Sequence, residues 1–352
     1  MAIELAPFET KELLVAVSGK AAADNCYPLT VTFDGGEDGT VTHKETMRVN
    51  LITKKTINVD GDLGDWEGTL PQVVVRDAST AAGMTERAWL PFMTFDAGVT
   101  DGVAVGYMAY DDDFFYIAVR VADKTPYAGN IRFGSRNDDD FFYPEEAIAR
   151  EFNSDKTEKR RWNVTWPEGV RRYTYRKDPV LPSGDHTDNL QIGFNVIPVG
   201  QKPMLEHSKG TMPRFQAYAC TDYEFAFNKV AEQHGGGTEV WRLYAPGMPR
   251  KHFYPRQPKA PIDGGPVDAA KLVMTHEDGM RVIEAALPWG EIPLVREKML
   301  AKEPIKLTFR INDNKGSAFE LAANRSVSQV NVYALHNLWE NSWATEVEFG
   351  FE

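Results

Sequence analysis

Apolar and polar residues alternate with a period of two along most of this chain, and that pattern restricts it to half-buried β-strands more firmly than any other feature. "KELLVAVSG", "YPLTVTFDG" and "TMRVNLITKK" show it early, and "DDFFYIAVRVAD" and "IKLTFRINDN" repeat it later, with Gly, Asp and Asn turns between. Helical spacing is confined to "PEEAIAREFN" (144 to 153), entered through Pro144 with Glu145 and Glu146 at its positive end, and to "WGEIPLVREKML" (289 to 300). An aromatic content of 11% and 21 prolines fit a loop-rich all-β protein. The expected architecture is an immunoglobulin-like antiparallel β-sandwich with long decorated loops.

A boundary is expected near residue 55, where the first strands end at Lys54 and Lys55. Residues 1–55 hold three or four strands by this reading, too few for an independent sandwich, so they form a partial or accessory β-layer. The tail of a preceding immunoglobulin-like domain is one source for it. Residues 56–352 form the main module, interrupted by loop-like insertions at about 124–184 and 198–266, a length more often functional than idle.

The formal net charge of −12 disfavours nucleic acid and anionic membranes as partners, because both need a dominant positive field. No run of about 18 apolar residues occurs, so no spanning helix is expected. The start, "MAIELAPFETKELL", lacks a basic stretch followed by an apolar one, as a chain cut from a longer protein would. Cys26 and Cys220 are far apart and outside any CxxC pattern, which points to two free thiols rather than a disulfide framework or zinc site.

Five blocks in fixed order carry a resemblance. "INVDGDLGDWEG" (57 to 68) resembles the opening strand and turn of family 9 carbohydrate-binding modules and their DOMON-like relatives. "MAYDDDFFYIAVRVAD" (108 to 123) is similar to their signature hairpin, and "DNLQIGFNV" (188 to 196) to the strand that usually reads Asp-x-hydrophobic-Glu-hydrophobic. "RVIEAALPW" (281 to 289) and "LTFRINDN" (307 to 314) are similar to the late strands. The resemblance spans about residues 56 to 352 apart from the insertions. It implies a DOMON-like sandwich that binds polysaccharide without cleaving it, covalently linked to other domains of a secreted or periplasmic glycan-degrading protein. Before the central strand, where binding members carry an aromatic, this chain reads "SGDHTDN", leaving His186 as the candidate contact and an insertion loop to supply the ring.

Sugar rings need flat aromatics for their C–H faces and amide or charged groups for their hydroxyls. Trp339, Glu340, Asn341 and Trp343 in "HNLWENSWATEVEF" offer both, where the family places a stacking Trp; capping of the core is the other reading. The cationic loop 156 to 177 interleaves Arg and Lys with Trp162 and Trp166, a set suited to acidic sugars or simply to a solvated hairpin. Trp241 and Arg242 open a proline-stiffened stretch that either supplies the missing ring or covers a sheet edge.

Asp60, Asp62 and Asp65, and Asp111, Asp112 and Asp113, are spaced as calcium ligands or as turn-capping residues. Relatives often carry structural calcium, which makes it the one cofactor expected. Met108 and His186 are the residues a haem would use in some DOMON relatives, but neither haem nor nucleotide is expected. Glu224, Glu284 and Glu320 are strand-embedded acids for the alternative of a glycoside hydrolase, with Glu284 structural by its place in the resemblance. A purely structural linker domain is the third alternative. Trp66 is expected to close the end of the sandwich core, with Asp60 and Asp62 shaping the turn before it.

Overall fold

The computed structural model describes residues 3–4, 6–20, 22–77, 102–123, 148–152, 158–162, 188–202, 221–230, 236–246, 265–312, 318–321 and 347–352. These fall into two compact units, Met1–Arg48 and Val49–Glu352.

In the first unit, β1 (Tyr27–Asp34) and β2 (Thr40–Met47) pair antiparallel from Tyr27↔Met47 to Asp34↔Thr40. Asp34 closes the connection by accepting from the Gly36 N–H at 2.9 Å. Cys26, just before β1, is a buried free thiol. The strand expected at 11 to 19 is absent: that stretch has no ladder partner among the described residues, and Leu14, Val15 and Val17 are exposed.

The second unit is an all-β sandwich. Its strands are β3 (Leu51–Lys54), β4 (Gln72–Val75), β5 (Ala104–Tyr110), β6 (Phe114–Ala122), β7 (Ile148–Phe152), β8 (Glu158–Trp162), β9 (Asn189–Asn195), β10 (Tyr223–Lys229) and β11 (Thr238–Tyr244). After them come β12 (Gly265–Pro266), β13 (Lys271–Glu277), β14 (Met280–Pro288), helix α1 (Pro293–Leu300), β15 (Ile305–Asn312), β16 (Ala318–Glu320) and β17 (Glu348–Phe351). One layer runs β4-β5-β6-β14-β13 and the other β12-β11-β10-β9-β15-β16. Short parallel pairings of β3 with β5 and with β17 join them, so Leu51–Lys54 belongs to this unit and not to the segment before it.

The alternation read from the sequence is what fills the space between the layers. Met108, Phe115, Ile117, Val119, Ile283 and Leu287 from the first layer meet Leu190, Ile192, Phe194, Phe225, Phe227, Leu307 and Phe309 from the second. The Phe115 and Phe194 rings pack edge to face at 5.2 Å. Gly106 is the point of closest approach, since a Cβ there would lie 2.2 Å from Cζ of Phe309. Met108, set aside above as a haem ligand, is a core residue.

Three expectations need correction. The stretch 198–266, expected as a loop-like insertion, carries β10, β11 and β12 of the second layer. Residues 148 to 152 are strand, not helix: backbone pairing of β7 with β8, from Ile148↔Trp162 to Phe152↔Glu158, overrides the helical spacing of "PEEAIAREFN". The second expected helix is present, as a 3-10 turn at Trp289–Glu291 followed by α1, which starts at Pro293. Trp66 does not close the end of the inter-layer core. It lies on the outer face of the first layer, over Ala109, Ala118 and Ala286 beside Tyr116, a trough that small residues on three strands leave open. Trp289 takes the end position instead, edge-on to Tyr110 and Phe115, with its indole N–H donated to the Asp111 carbonyl at 2.8 Å.

Glu284, projecting outward from β14, explains how the "DGDLGDW" turn is held. Its Oε1 accepts the Trp66 indole N–H at 2.7 Å, and its Oε2 accepts the backbone N–H of Asp60 at 2.9 Å and of Gly61 at 2.7 Å. Gly61 has φ +93°, and a Cβ there would press on Val273 at 3.0 Å. Burial pushes the Glu284 carboxyl above the usual range, against the pull of these three donors. Glu284 is therefore a fastener of the turn, as its place in the resemblance implied.

Candidate functional site

The outer face of the second layer is where the sequence and the fold part company with an ordinary solvated sheet. Leu190, Ile192 and Phe194 of β9 point into the core, so Asn189, Gln191 and Gly193 point outward. By the same alternation β10 presents Glu224, Ala226 and Asn228, and β15 presents Thr308, Arg310 and Asn312. β11 presents Glu239 and Trp241, and β16 presents Glu320. Exposed polar groups would be unremarked here, but all of the side chains just named are buried except that of Asn312, which is half-buried. Polar groups withdrawn from water need partners, so this face is chemically committed.

Register arranges them in rows across the strands. Asn312, Asn189, Asn228 and Glu239 stand in one row. Glu320, Arg310, Gln191, Ala226 and Trp241 stand in the next. Arg310 donates from Nε to Glu320 Oε2 at 3.0 Å and from Nη2 to the same oxygen, which neutralises the pair. The amide of Asn312 donates to Asn189 Oδ1 at 2.8 Å and to Gln191 Oε1 at 2.9 Å. Gln191 Nε2 then has no acceptor, although its residue is only 2% exposed. Between Gln191 and Trp241, two strands and about 10 Å apart, the row carries only the methyl group of Ala226.

The residues singled out from the sequence fall differently. Trp241 is on this face, but Arg242 points the other way along β11 and is paired with Glu291 through Nε, at 2.9 Å, and Nη2. Alternation forbids the two from serving one site on this face. Trp162 is the last residue of β8. Trp166, His186, Trp339, Glu340, Asn341 and Trp343 lie outside the described residues.

The acidic turns close on themselves. Asp60 accepts from the Asp62 N–H at 2.9 Å and the Asn58 amide at 2.7 Å, and Asp62 caps the following 3-10 turn through the Gly64 N–H at 2.9 Å. Asp111 Oδ1 accepts from the N–H groups of Asp113 and Phe114, both at 2.9 Å, while Oδ2 accepts the Tyr116 hydroxyl at 2.7 Å. Asp112 is exposed and 3.6 Å from Lys54 Nζ. Among the described residues no three His, Cys, Asp or Glu side chains are grouped to hold a metal ion, and the oxygens of Asp60, Asp62 and Asp111 accept the hydrogen bonds of turn capping.

Burial pushes the Asp111 carboxyl up, but the Tyr116 hydroxyl, the two N–H groups and the Thr56 hydroxyl outweigh it and hold it below the usual range. A depressed acid stabilises the fold fully above its ordinary value, near 3.9, and loses that contribution as pH falls through the depressed one. The gap in urea midpoint between wild type and Asp111→Asn should therefore stay constant above about pH 5 and narrow toward about pH 2. A gap independent of pH would contradict this role.

Hydrolysis needs two carboxyl groups about 5 to 9.5 Å apart. Glu224 and Glu320 share the outer face, but three strand spacings and two residues separate them, about 16 Å between backbones. Glu284 is on the other layer. The three acids picked out from the sequence thus form no such pair.

The residues that sequence reasoning missed are Asn189, Gln191, Asn228 and Arg310. Their signal was the polar half of the alternation in "NLQIGFN", "YEFAFNK" and "KLTFRIN", where amides and Arg stand in place of Thr, Ser or Lys.

No family model and no curated protein matches the chain. Among solved structures it is similar to a family 9 carbohydrate-binding module from Caldicellulosiruptor kristjanssonii in complex with cellotriose, at 8% identity, covering 87% of this chain and 94% of that one, with a TM-score of 0.37. It is also similar to such a module from the same organism in complex with glucose, at 10% identity, covering 86% and 94%, with a TM-score of 0.35.

Proposed function

We propose that the outer face of β9, β10, β11 and β15 binds a carbohydrate without cleaving it. The observation that carries the reading is Gln191: a buried amide nitrogen with no acceptor, in a row that ends on an indole and has only Ala226 between. A buried donor left unmade is costly, and a sugar oxygen is a suitable acceptor for it. Trp241 offers the flat apolar surface that axial C–H groups need, and Asn189 on β9 and Asn228 and Glu224 on β10, each two residues from that row, supply further hydroxyl partners. The spacing of the acids favours holding a glycan over hydrolysing it.

On this reading the protein is a polysaccharide-binding module that keeps linked domains of a secreted or periplasmic glycan-degrading protein at their substrate. The support for that wider role is the ordered resemblance of five sequence blocks. Affinity electrophoresis through gels containing β-glucans, xylans or acidic polysaccharides tests the binding. Wild type should be retarded by at least one neutral glycan, and both Gln191→Leu and Trp241→Ala should lose retardation by about tenfold or more in affinity. Migration of wild type unaffected by every gel would refute the reading, and release of reducing sugar would replace it with an enzyme.

A further inference from the structure

We infer that Asn312 is a positioning residue that fixes which end of the Gln191 amide the site presents, so that the site offers a hydrogen-bond donor at that point. The inference rests on the reading of this face as a glycan site and names how that site is set. Gln191 could turn its amide either way, exchanging a donor for an acceptor with little change in shape. Asn312 removes the choice. Its Nδ2 gives both hydrogens away, one to Asn189 Oδ1 and one to Gln191 Oε1, so the Gln191 carbonyl is anchored and Nε2 is left as the free end.

The backbone of Asn312 is held from behind. Arg281 Nη1, on the opposite layer, donates to the Asn312 carbonyl at 2.9 Å, and Arg281 is held by the buried carboxylates of Asp123 and Asp188. The last residue of β15 is thus tied through its main chain to one layer and through its side chain to the neighbouring strand β9. The consequence for ligand choice is direct. A presented N–H can be met by a hydroxyl and equally by a ring or glycosidic oxygen, which has no proton to give. A presented carbonyl would accept hydroxyls only.

Asn312→Asp tests this, because a carboxylate accepts and cannot donate, so Gln191 would have to turn its NH2 toward position 312. Two readouts separate the inference from the reading beneath it. The side-chain NH2 resonances of Gln191, assigned from Gln191→Leu, report the turn without any ligand: the inference expects slowed exchange and a shift in Asn312→Asp, and resonances identical to wild type would overturn it. The second readout is affinity for whichever glucan or xylan gel retards wild type, which should fall about tenfold in Asn312→Asp. If no gel retards wild type, the glycan reading fails while the amide resonances still decide the role of Asn312.

Should Asn312→Asp not fold, Gln191→Glu serves in its place. It keeps Asn312 as donor to position 191 but turns a carboxylate oxygen toward the site, and the same fall of about tenfold is expected. Affinity unchanged in Gln191→Glu would overturn the inference.

Discussion

Arg281→Ala should destabilise the sandwich by about 3–5 kcal/mol in urea unfolding. Arg281 points inward from β14 at one end of the sandwich, and its side chain, like those of Asp123 and Asp188, has no solvent exposure. Asp123 follows β6 in the first layer and Asp188 precedes β9 in the second, so one guanidinium bridges the layers, at 2.8 Å from Asp188 Oδ1. Its bond to the Asn312 carbonyl adds β15 to the same junction. Removing the cation leaves two carboxylates facing each other away from water, which costs far more than an exposed pair would. Replacing all three with apolar residues of similar volume should cost much less than Arg281→Ala alone, because the penalty comes from stranding charge. A loss below about 1 kcal/mol in Arg281→Ala would mean that the junction is hydrated and does not join the layers.

Trp66→Ala should cost about 3–5 kcal/mol as well, for a different reason. Trp66 is 3% exposed on the outer face of the first layer, where with the half-buried Leu63 of the same turn it fills the alanine trough of β5, β6 and β14. Its loss removes apolar burial and also takes the indole N–H from Glu284 Oε1. Trp66→Phe separates the two effects, since it retains most of the ring and withdraws only the donor. It should lose about 1–3 kcal/mol, the range for a buried charged acceptor deprived of one hydrogen bond. Equal losses in the two variants would show that the bond to Glu284 carries the stability and the ring packing does not.

Much of this arrangement was legible in the chain before any coordinates. Period-two alternation located β1, β6 and β15, the family resemblance marked the stretches that form β9 and β14, and its block "RVIEAALPW" already implied that Glu284 is structural. The misreadings share a physical cause. Spacing in "PEEAIAREFN" suited a helix, yet pairing with "EKRRW" decides its conformation, and a pairing partner is not visible in local periodicity. Trp66 follows a strand-like run through a turn and approaches its layer from outside, whereas Trp289 directly follows β14 and continues the inward set Ile283, Ala285 and Leu287.

The candidate site was harder to see for a related reason. Gln191 meets Arg310 and Asn312 only because β9 pairs with β15, more than a hundred residues downstream, and meets Trp241 only through β10 and β11. Single strands show that alternate residues are polar. They do not show which outer face is withdrawn from water, since that depends on what the rest of the chain brings to it. Attention to conspicuous aromatics therefore selected Trp241, which alternation places on the outer face, together with Arg242, which alternation places on the opposite face against Glu291. Amides are quiet in sequence, and here they form the centre of the array.

A chemical-shift titration of the labelled protein with soluble cello- and xylo-oligosaccharides reads out whether the polar outer face holds a glycan, as proposed above. Saturable shifts are expected in the side-chain amides of Gln191, Asn189 and Asn228 and in the indole N–H of Trp241, with the Trp66 indole unmoved. Saturable shifts confined to other residues, or no shift with any oligosaccharide in the series, would contradict that proposal.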